Sequence, residues 1–213
     1  MGNGFQLACF DMDGTLIRST NSVRYLCCLN GKEEEVLEIE NIEDRKEISW
    51  IDADYLKVKL LEGLEIKYVK EEFDKRIELI SGIDHVMKYL KNKNIKTILV
   101  TSGPIQVANI LGRKYGFDNV YGSNYEIENG RFTGKIINHL GDGGKLKSLL
   151  SFCKKHEIDL QKCVAIGDSD SDIEIFKKCG KSIAINYSDI LLGKASVYIR
   201  TDNLKDILEY FQK

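Results

Sequence analysis

Short, almost wholly apolar runs recur along this chain, and amphipathic stretches separate them. The clearest runs are Gln6–Phe10, Lys96–Val100, Cys163–Gly167 and Ser182–Ile185, with weaker ones at Asn119–Tyr121 and Val197–Ile199. They are too short for helices and lack the alternation of a strand with one wet face, so they read as strands buried on both sides. Between them, Ile83–Lys91, Ile105–Tyr115, Lys145–His156 and Asp170–Cys179 carry apolar residues at helical spacing. Buried strands joined through helices build a parallel sheet. The pattern predicts an α/β protein with a doubly wound, three-layer Rossmann-like core. Ligands of such sheets bind beyond the carboxyl ends of the strands.

One interval breaks the alternation. From Ile17 to Ser81 no strand pattern appears, and the chain reads as charged helices over Lys32–Glu43, Ile48–Glu62 and Val69–Ile80. That is too long for a crossover and too apolar on one face for a disordered loop. The expected organisation is a core of residues 1–16 and 82–213 with a helical unit, 17–81, inserted after the first strand. Glu33-Glu34-Glu35 reads as a solvated helix face. Later, Asn129-Gly130 sits between short alternating runs within Tyr125–Gly134, which predicts a β-hairpin.

A length of 213 residues suits one core with a smaller appended unit. A net charge of −2, with no basic stripe interleaved with aromatics, gives no reason to expect nucleic acid or an anionic membrane as partner. No apolar run approaches the ~20 residues of a bilayer span. Met1-Gly2-Asn3-Gly4 carries no basic region ahead of its apolar run, so no secretory signal is read, and Gln6 departs from the myristoylation pattern. A cytoplasmic location is expected. The six cysteines contain no Cys-x-x-Cys pair and read as small apolar fillers in a reducing compartment. His85, His139 and His156 lack metal-ligand spacing and read as ordinary surface or boundary residues.

Four segments carry the chemistry. The first strand breaks into Asp11-Met12-Asp13-Gly14-Thr15, and the strand at Cys163 breaks into Asp168-Ser169-Asp170-Ser171-Asp172. Like charges clustered at a partly dry strand end cost stability, and a hard divalent cation held by oxygen ligands, most plausibly Mg²⁺, offsets that cost. After the strand at Lys96 comes Thr101-Ser102-Gly103-Pro104, with Pro104 read as a first helical residue, so Ser102 and the Gly103 N–H fall at an anion-binding helix start. Lys145 opens another helix behind Gly143-Gly144, at the end where the helix dipole disfavours cations unless an anion binds there. In one parallel sheet these strand ends share an edge. Their groups can therefore meet in a single crevice.

In this order, Asp11-Met12-Asp13-Gly14-Thr15, Thr101-Ser102-Gly103, Lys145 and Gly167-Asp168-Ser169-Asp170-Ser171-Asp172 resemble the four motifs of the haloacid dehalogenase-like (HAD) hydrolases. The insert directly after the first motif resembles a helical C1 cap. With Asn129-Gly130-Arg131-Phe132-Thr133-Gly134 and the lysine spacing, the chain looks most like the phosphoserine phosphatase branch. The resemblance implies a Mg²⁺-dependent phosphatase acting on a small phosphorylated metabolite. Asp11 is then the nucleophile that forms an aspartyl-phosphate, and Asp13 the acid and base. Mg²⁺ is held by Asp11, the Asp13 main-chain carbonyl and Asp168, while Asp172 supports the metal's water shell or orients Lys145. Thr15, Ser102, Gly103 and Lys145 hold the phosphoryl group.

The cap departs from that branch. An acidic residue is expected soon after the first motif, where Ile17-Arg18-Ser19-Thr20-Asn21-Ser22 has none, and an arginine is expected where Lys57 or Lys59 stands. Thr20, Trp50 and Lys57 are the expected substrate contacts. The leaving group is left open between serine and another small sugar, alcohol or nucleoside. Two other readings share the same acyl-phosphate chemistry: a phosphotransferase or mutase, and a non-catalytic phosphoacceptor module. The oligomeric state is left open.

Overall fold

The computed structural model describes residues 4–141 and 143–211, and the reading of Met1-Gly2-Asn3 lies outside them. Its strands are β1 (Leu7–Phe10), β2 (Lys96–Pro104), β3 (Asn119–Glu128), β4 (Arg131–Asn138), β5 (Cys163–Gly167), β6 (Lys181–Ile185) and β7 (Val197–Ile199). They form a sheet in the order β4-β3-β2-β1-β5-β6-β7, parallel except for β4. The fold is α/β with the central sheet expected of a HAD core. Every residue of β1 is buried, and β1 is flanked by β2 on one side and β5 on the other. Strand order therefore reverses at β1, so the crevice opens directly above Asp11.

Between β1 and β2 lie helices α1 (Ser22–Leu29), α2 (Glu33–Asp44), α3 (Trp50–Lys57) and α4 (Ile66–Arg76), followed by α5 (Ile83–Asn92) beneath the sheet. Helix α1 was not legible as a separate element, because its apolar stripe spans only eight residues. The helix expected over Val69–Ile80 stops at Arg76. Residues Ile77–Ile80 run extended, with the Arg18 N–H donating to the Glu78 carbonyl and the Ile80 N–H to the Leu16 carbonyl. The two strands of chain that join the insert to the core are thus bonded to each other.

Beyond β2 come α6 (Ile105–Tyr115), α7 (Gly144–His156) and α8 (Ile173–Phe176). Two expectations are corrected here. Pro104 (φ −65°, ψ 128°) is extended and closes β2 beside Ser123, so it precedes the helix instead of starting it. The segment from Asp170 is a 3-10 turn, Asp170–Asp172, followed by the short α8, because the Asp172 side chain bonds back to the Asp168 and Ser169 N–H groups. A 3-10 helix over Leu204–Phe211, not anticipated from the sequence, buries Leu204 and Ile207. Strands β3 and β4 form the hairpin, with both Asn129 (φ 49°) and Gly130 (φ 76°) left-handed, as the tightest hairpin turns require.

This hairpin leaves the core and docks on the insert. Three backbone hydrogen bonds join them: Gly63 N–H to Phe132 O (2.9 Å), Phe132 N–H to Leu64 O (3.0 Å) and Ile66 N–H to Gly130 O (2.9 Å). Apolar side chains fill both faces of the sheet, with Leu7, Cys9 and Val100 on the α7 side and Ala8, Phe10 and Leu99 on the other. Among the described residues no helix is long and apolar enough to cross a membrane.

Candidate active site

Asp11 continues from β1, its N–H still donating to Ile166 O of β5 (2.9 Å), and its side chain is buried at the foot of the crevice. Lys145, on the first turn of α7, reaches it with Nζ 2.5 Å from Asp11 Oδ1. The same Nζ donates to Ser171 Oγ (2.8 Å) and Asp172 Oδ1 (2.9 Å), so all three ammonium protons are engaged. Burial alone would lower the lysine pKa, but the Asp11 and Asp172 carboxylates outweigh it and raise the value. Lys145 stays charged.

Asp168 closes the other side. Thr15, fully buried, donates from Oγ1 to Asp168 Oδ1 (3.1 Å), so its side chain steadies a carboxylate and is not turned to the phosphate site assigned to it from the motif. Gly14 makes that approach possible: its φ is +80°, and a Cβ there would lie 2.1 Å from Asp168 Oδ2. Asp11, Asp168 and Asp172 each offer an oxygen within 4.8 Å of the others. Lys145 bonds two of them, while no cationic side chain among the described residues bonds Asp168. Burial, then the charges of Asp11 and Asp172, hold the Asp168 carboxyl well above its ordinary range. Asp11 is also raised, by burial first, against the lowering effect of Lys145. An oxygen-only donor set with surplus negative charge suits a hard divalent cation.

Asp13 stands apart from this cluster. It accepts the Ser22 N–H (2.7 Å) and Ser22 Oγ–H (2.6 Å) at the start of α1. Burial nevertheless pushes its carboxyl up to about 6. Ser22 was not singled out from the sequence, and its only signal was its place beside the Asn21 helix cap. Gly103 approaches both side chains so closely that a Cβ would fall 2.4 Å from Ser22 Oγ and 2.8 Å from Asp13 Oδ2.

The tip of β2 separates the two hydroxyls there. Thr101 is buried, lines the crevice, and its Oγ1 accepts the Gly103 N–H (2.9 Å), leaving the hydroxyl proton free to point into the cavity. That N–H, expected to face phosphate, is therefore occupied. Ser102 is half-buried and lines the same cavity, with its hydroxyl 3.5 Å from Leu140 O. Both residues line the cavity, and of the two the sequence reading gave only Ser102 a role.

The crevice is a cavity of about 220 Å³, with Asp11, Asp13, Thr101 and Lys145 on the core side and Glu43, Trp50, Asp54 and Lys57 on the insert side. Trp50 and Lys57 are thus brought to the site. Thr20 is not among the lining residues, its hydroxyl lying 3.3 Å from Asn21 O, and Asn21 lines the cavity in its place. His139 is half-buried, as a boundary residue is, but its side chain is covered and bonds Asp54 across the hairpin and insert. A larger depression of about 690 Å³ lies at the opposite end of the sheet, around Lys96 and Asp118, far from these groups.

The profile of haloacid dehalogenase-like hydrolases matches residues 8–177, the span that contains every motif above. The chain belongs to the haloacid dehalogenase-like hydrolase family. Within that family it falls in the phosphoserine phosphatase-like branch. The phosphoserine phosphatase of Methanocaldococcus jannaschii is 30% identical over 97% of this hydrolase and 98% of its own length. That of Saccharomyces cerevisiae is 28% identical over 95% of this chain, which spans 66% of the yeast protein. A solved structure of a phospho-aspartyl intermediate analogue of phosphoserine phosphatase superposes with a TM-score of 0.86, at 29% identity over 99% of this chain and 100% of the other.

Proposed function

We propose that this HAD hydrolase is a Mg²⁺-dependent phosphatase that cleaves a small phosphomonoester through an acyl phosphate on Asp11, beneath a cap formed by residues 17–81. The observation that carries the reading is the Asp11 carboxylate, buried at the cavity floor with Lys145 on one oxygen and Asp168 and Asp172 within 4.8 Å. Asp11, the Asp13 main-chain carbonyl and Asp168 would hold Mg²⁺, with Asp172 behind them. The ion supplies charge neutralisation, which lets a carboxylate approach a phosphate dianion.

The remaining chemistry belongs to the chain. Lys145, whose proton bonded to Asp11 in the free protein turns to a phosphoryl oxygen when substrate is bound, and the Thr101 hydroxyl donate to the phosphoryl group, with Ser102 lining the same cavity; Asp172 and Ser171 keep the lysine aimed. An Asp11 oxygen attacks phosphorus, the ester P–O bond breaks, and the departing alkoxide takes a proton from Asp13. Water then attacks the phosphorus, giving its proton to Asp13 as the Asp11–phosphate bond breaks. A carboxyl raised to about 6 is suited to both directions of transfer near neutral pH. The cap keeps bulk water from the acyl phosphate.

The test is phosphate release with Mg²⁺ from p-nitrophenyl phosphate and a panel of phosphometabolites, phosphoserine included because the relatives are phosphoserine phosphatases. Turnover that vanishes on chelation and returns with Mg²⁺ is expected. Absence of release from every compound refutes the proposal.

A further inference from the structure

The insert side of the cavity carries three charged groups, and their pairing sets what leaving group fits. Lys57 is buried, with Nζ 2.7 Å from Glu43 Oε2 and 3.9 Å from Glu40 Oε1. Glu40 is in turn held by the Arg24 guanidinium and by Asn21 Nδ2. Arg24, Lys57, Glu40 and Glu43 therefore balance, and the lysine has no charge to spare for a second carboxylate.

Asp54 differs. Its Oδ2 lies 3.0 Å from His139 Nε2, and His139 Nδ1 accepts the Gly141 N–H at 2.9 Å. With Nδ1 facing the Gly141 N–H, Nε2 is the ring nitrogen that donates to the Asp54 carboxylate. That bond orients the Asp54 carboxylate, and no lysine or arginine among the described residues pairs with it. It lines the cavity with its side chain only 13% exposed, beside Trp50, whose indole packs on His139 with ring centroids 5.6 Å apart. A shielded carboxylate next to an indole is a site for an ammonium group.

We infer that the leaving group is an amino alcohol, its ammonium held by Asp54 beside Trp50, and that a carboxylate on the leaving group is disfavoured because Glu43 already occupies Lys57. This rests on the phosphatase reading and specifies its substrate class. Phosphomonoesters of small amino alcohols without a carboxylate fit best, a zwitterionic one such as phosphoserine less well, and an anionic one worst.

The test compares kcat/KM for O-phosphoethanolamine, O-phosphoserine and phosphoglycolate, with p-nitrophenyl phosphate as a reference that has neither charge. Phosphoethanolamine and phosphoglycolate are similar in size and opposite in charge. The wild-type enzyme should prefer phosphoethanolamine by at least about tenfold. In Asp54→Asn, which keeps an oxygen acceptor for His139, that ratio should fall about tenfold or more. Lys57→Gln should raise it, because Glu43 is then released into the cavity. A wild-type preference for phosphoserine or phosphoglycolate overturns the inference, as does an Asp54→Asn ratio equal to that of the wild type. Those results, with p-nitrophenyl phosphate still cleaved, leave the phosphatase reading standing; no cleavage of any of the four compounds overturns both.

Discussion

Replacing Asp168 with asparagine should make the metal-free protein more stable, although it removes a residue of the proposed metal site. Asp168 has carboxylate oxygens of Asp11 and Asp172 within 4.8 Å and no cationic partner among the described residues. At that separation each like-charged pair costs about 3 kcal/mol for an effective dielectric constant near 20. Lys145 offsets part of it through Asp11 and Asp172. A proton taken up by the carboxyl caps the penalty, since protonating an ordinary aspartate at neutral pH costs about 4 kcal/mol. The relief in Asp168→Asn is therefore about 2 kcal/mol or somewhat more, or at least ~4 °C in melting temperature for a chain of this size. The sign of the pH dependence follows from the raised pKa of Asp168. Its contribution to stability is intact below the ordinary carboxylate range and is lost as pH rises through the raised pKa, so the advantage of the variant widens as pH rises above that range. Thermal melts in EDTA and in excess MgCl₂ provide the assay. The wild type should gain stability with Mg²⁺, and the variant should gain little. A metal-free variant that melts at or below the wild type, or one that keeps the full Mg²⁺ shift, refutes the reasoning.

Asp11→Asn should abolish phosphate release while leaving the melting transition near that of the wild type; residual turnover would remove the nucleophile from this position. Thr101→Ala should lower kcat on the order of 10²–10³, as loss of a buried donor to a transition state does, while Ser102→Ala costs far less. The reverse order would show that the half-buried serine faces the phosphoryl group. Tyr125→Phe should be neutral or raise the melting temperature by a few degrees, because the Tyr125 hydroxyl is buried without a hydrogen-bond partner among the described residues. Marked destabilisation in that variant would reveal a partner for the hydroxyl.

The strand ends and their carboxylates were legible because buried apolar runs stop abruptly where chemistry begins. Asp11, Lys145, Asp168 and Asp172 converge for that reason, each standing at the carboxyl edge of one parallel sheet or on the helix start above it. That Thr101 borders the cavity as well as Ser102 was not legible, since adjacent strand residues are expected to face opposite sides. Strand β3 was underestimated at Asn119–Tyr121 because its continuation through Gly122-Ser123-Asn124 is polar, and that stretch links the pairing with β2, still present at Ser123, to the hairpin pairing with β4 that begins at Asn124. The cap wall was hidden for a similar reason. Asp54 meets His139 from 85 positions away, and the pairing of Lys57 with Glu43 depends on how α2 crosses α3. Spacing along a helix marks which face is apolar, but not which charges on two helices neutralise each other.

The ribbon of β3 and β4 has a mechanical consequence. Its three backbone bonds to Gly63, Leu64 and Ile66 mean that the wall bearing Trp50 and Asp54 is sewn to a segment more than sixty positions further along the chain. Admitting a substrate by swinging that wall outward either drags the ribbon with it or breaks those bonds. The pivot is then shared between the paired connectors at Leu16–Arg18 and Glu78–Ile80 and the two ends where the ribbon rejoins the core, near Ser123 and Leu140. Four chain crossings, not two, have to bend together.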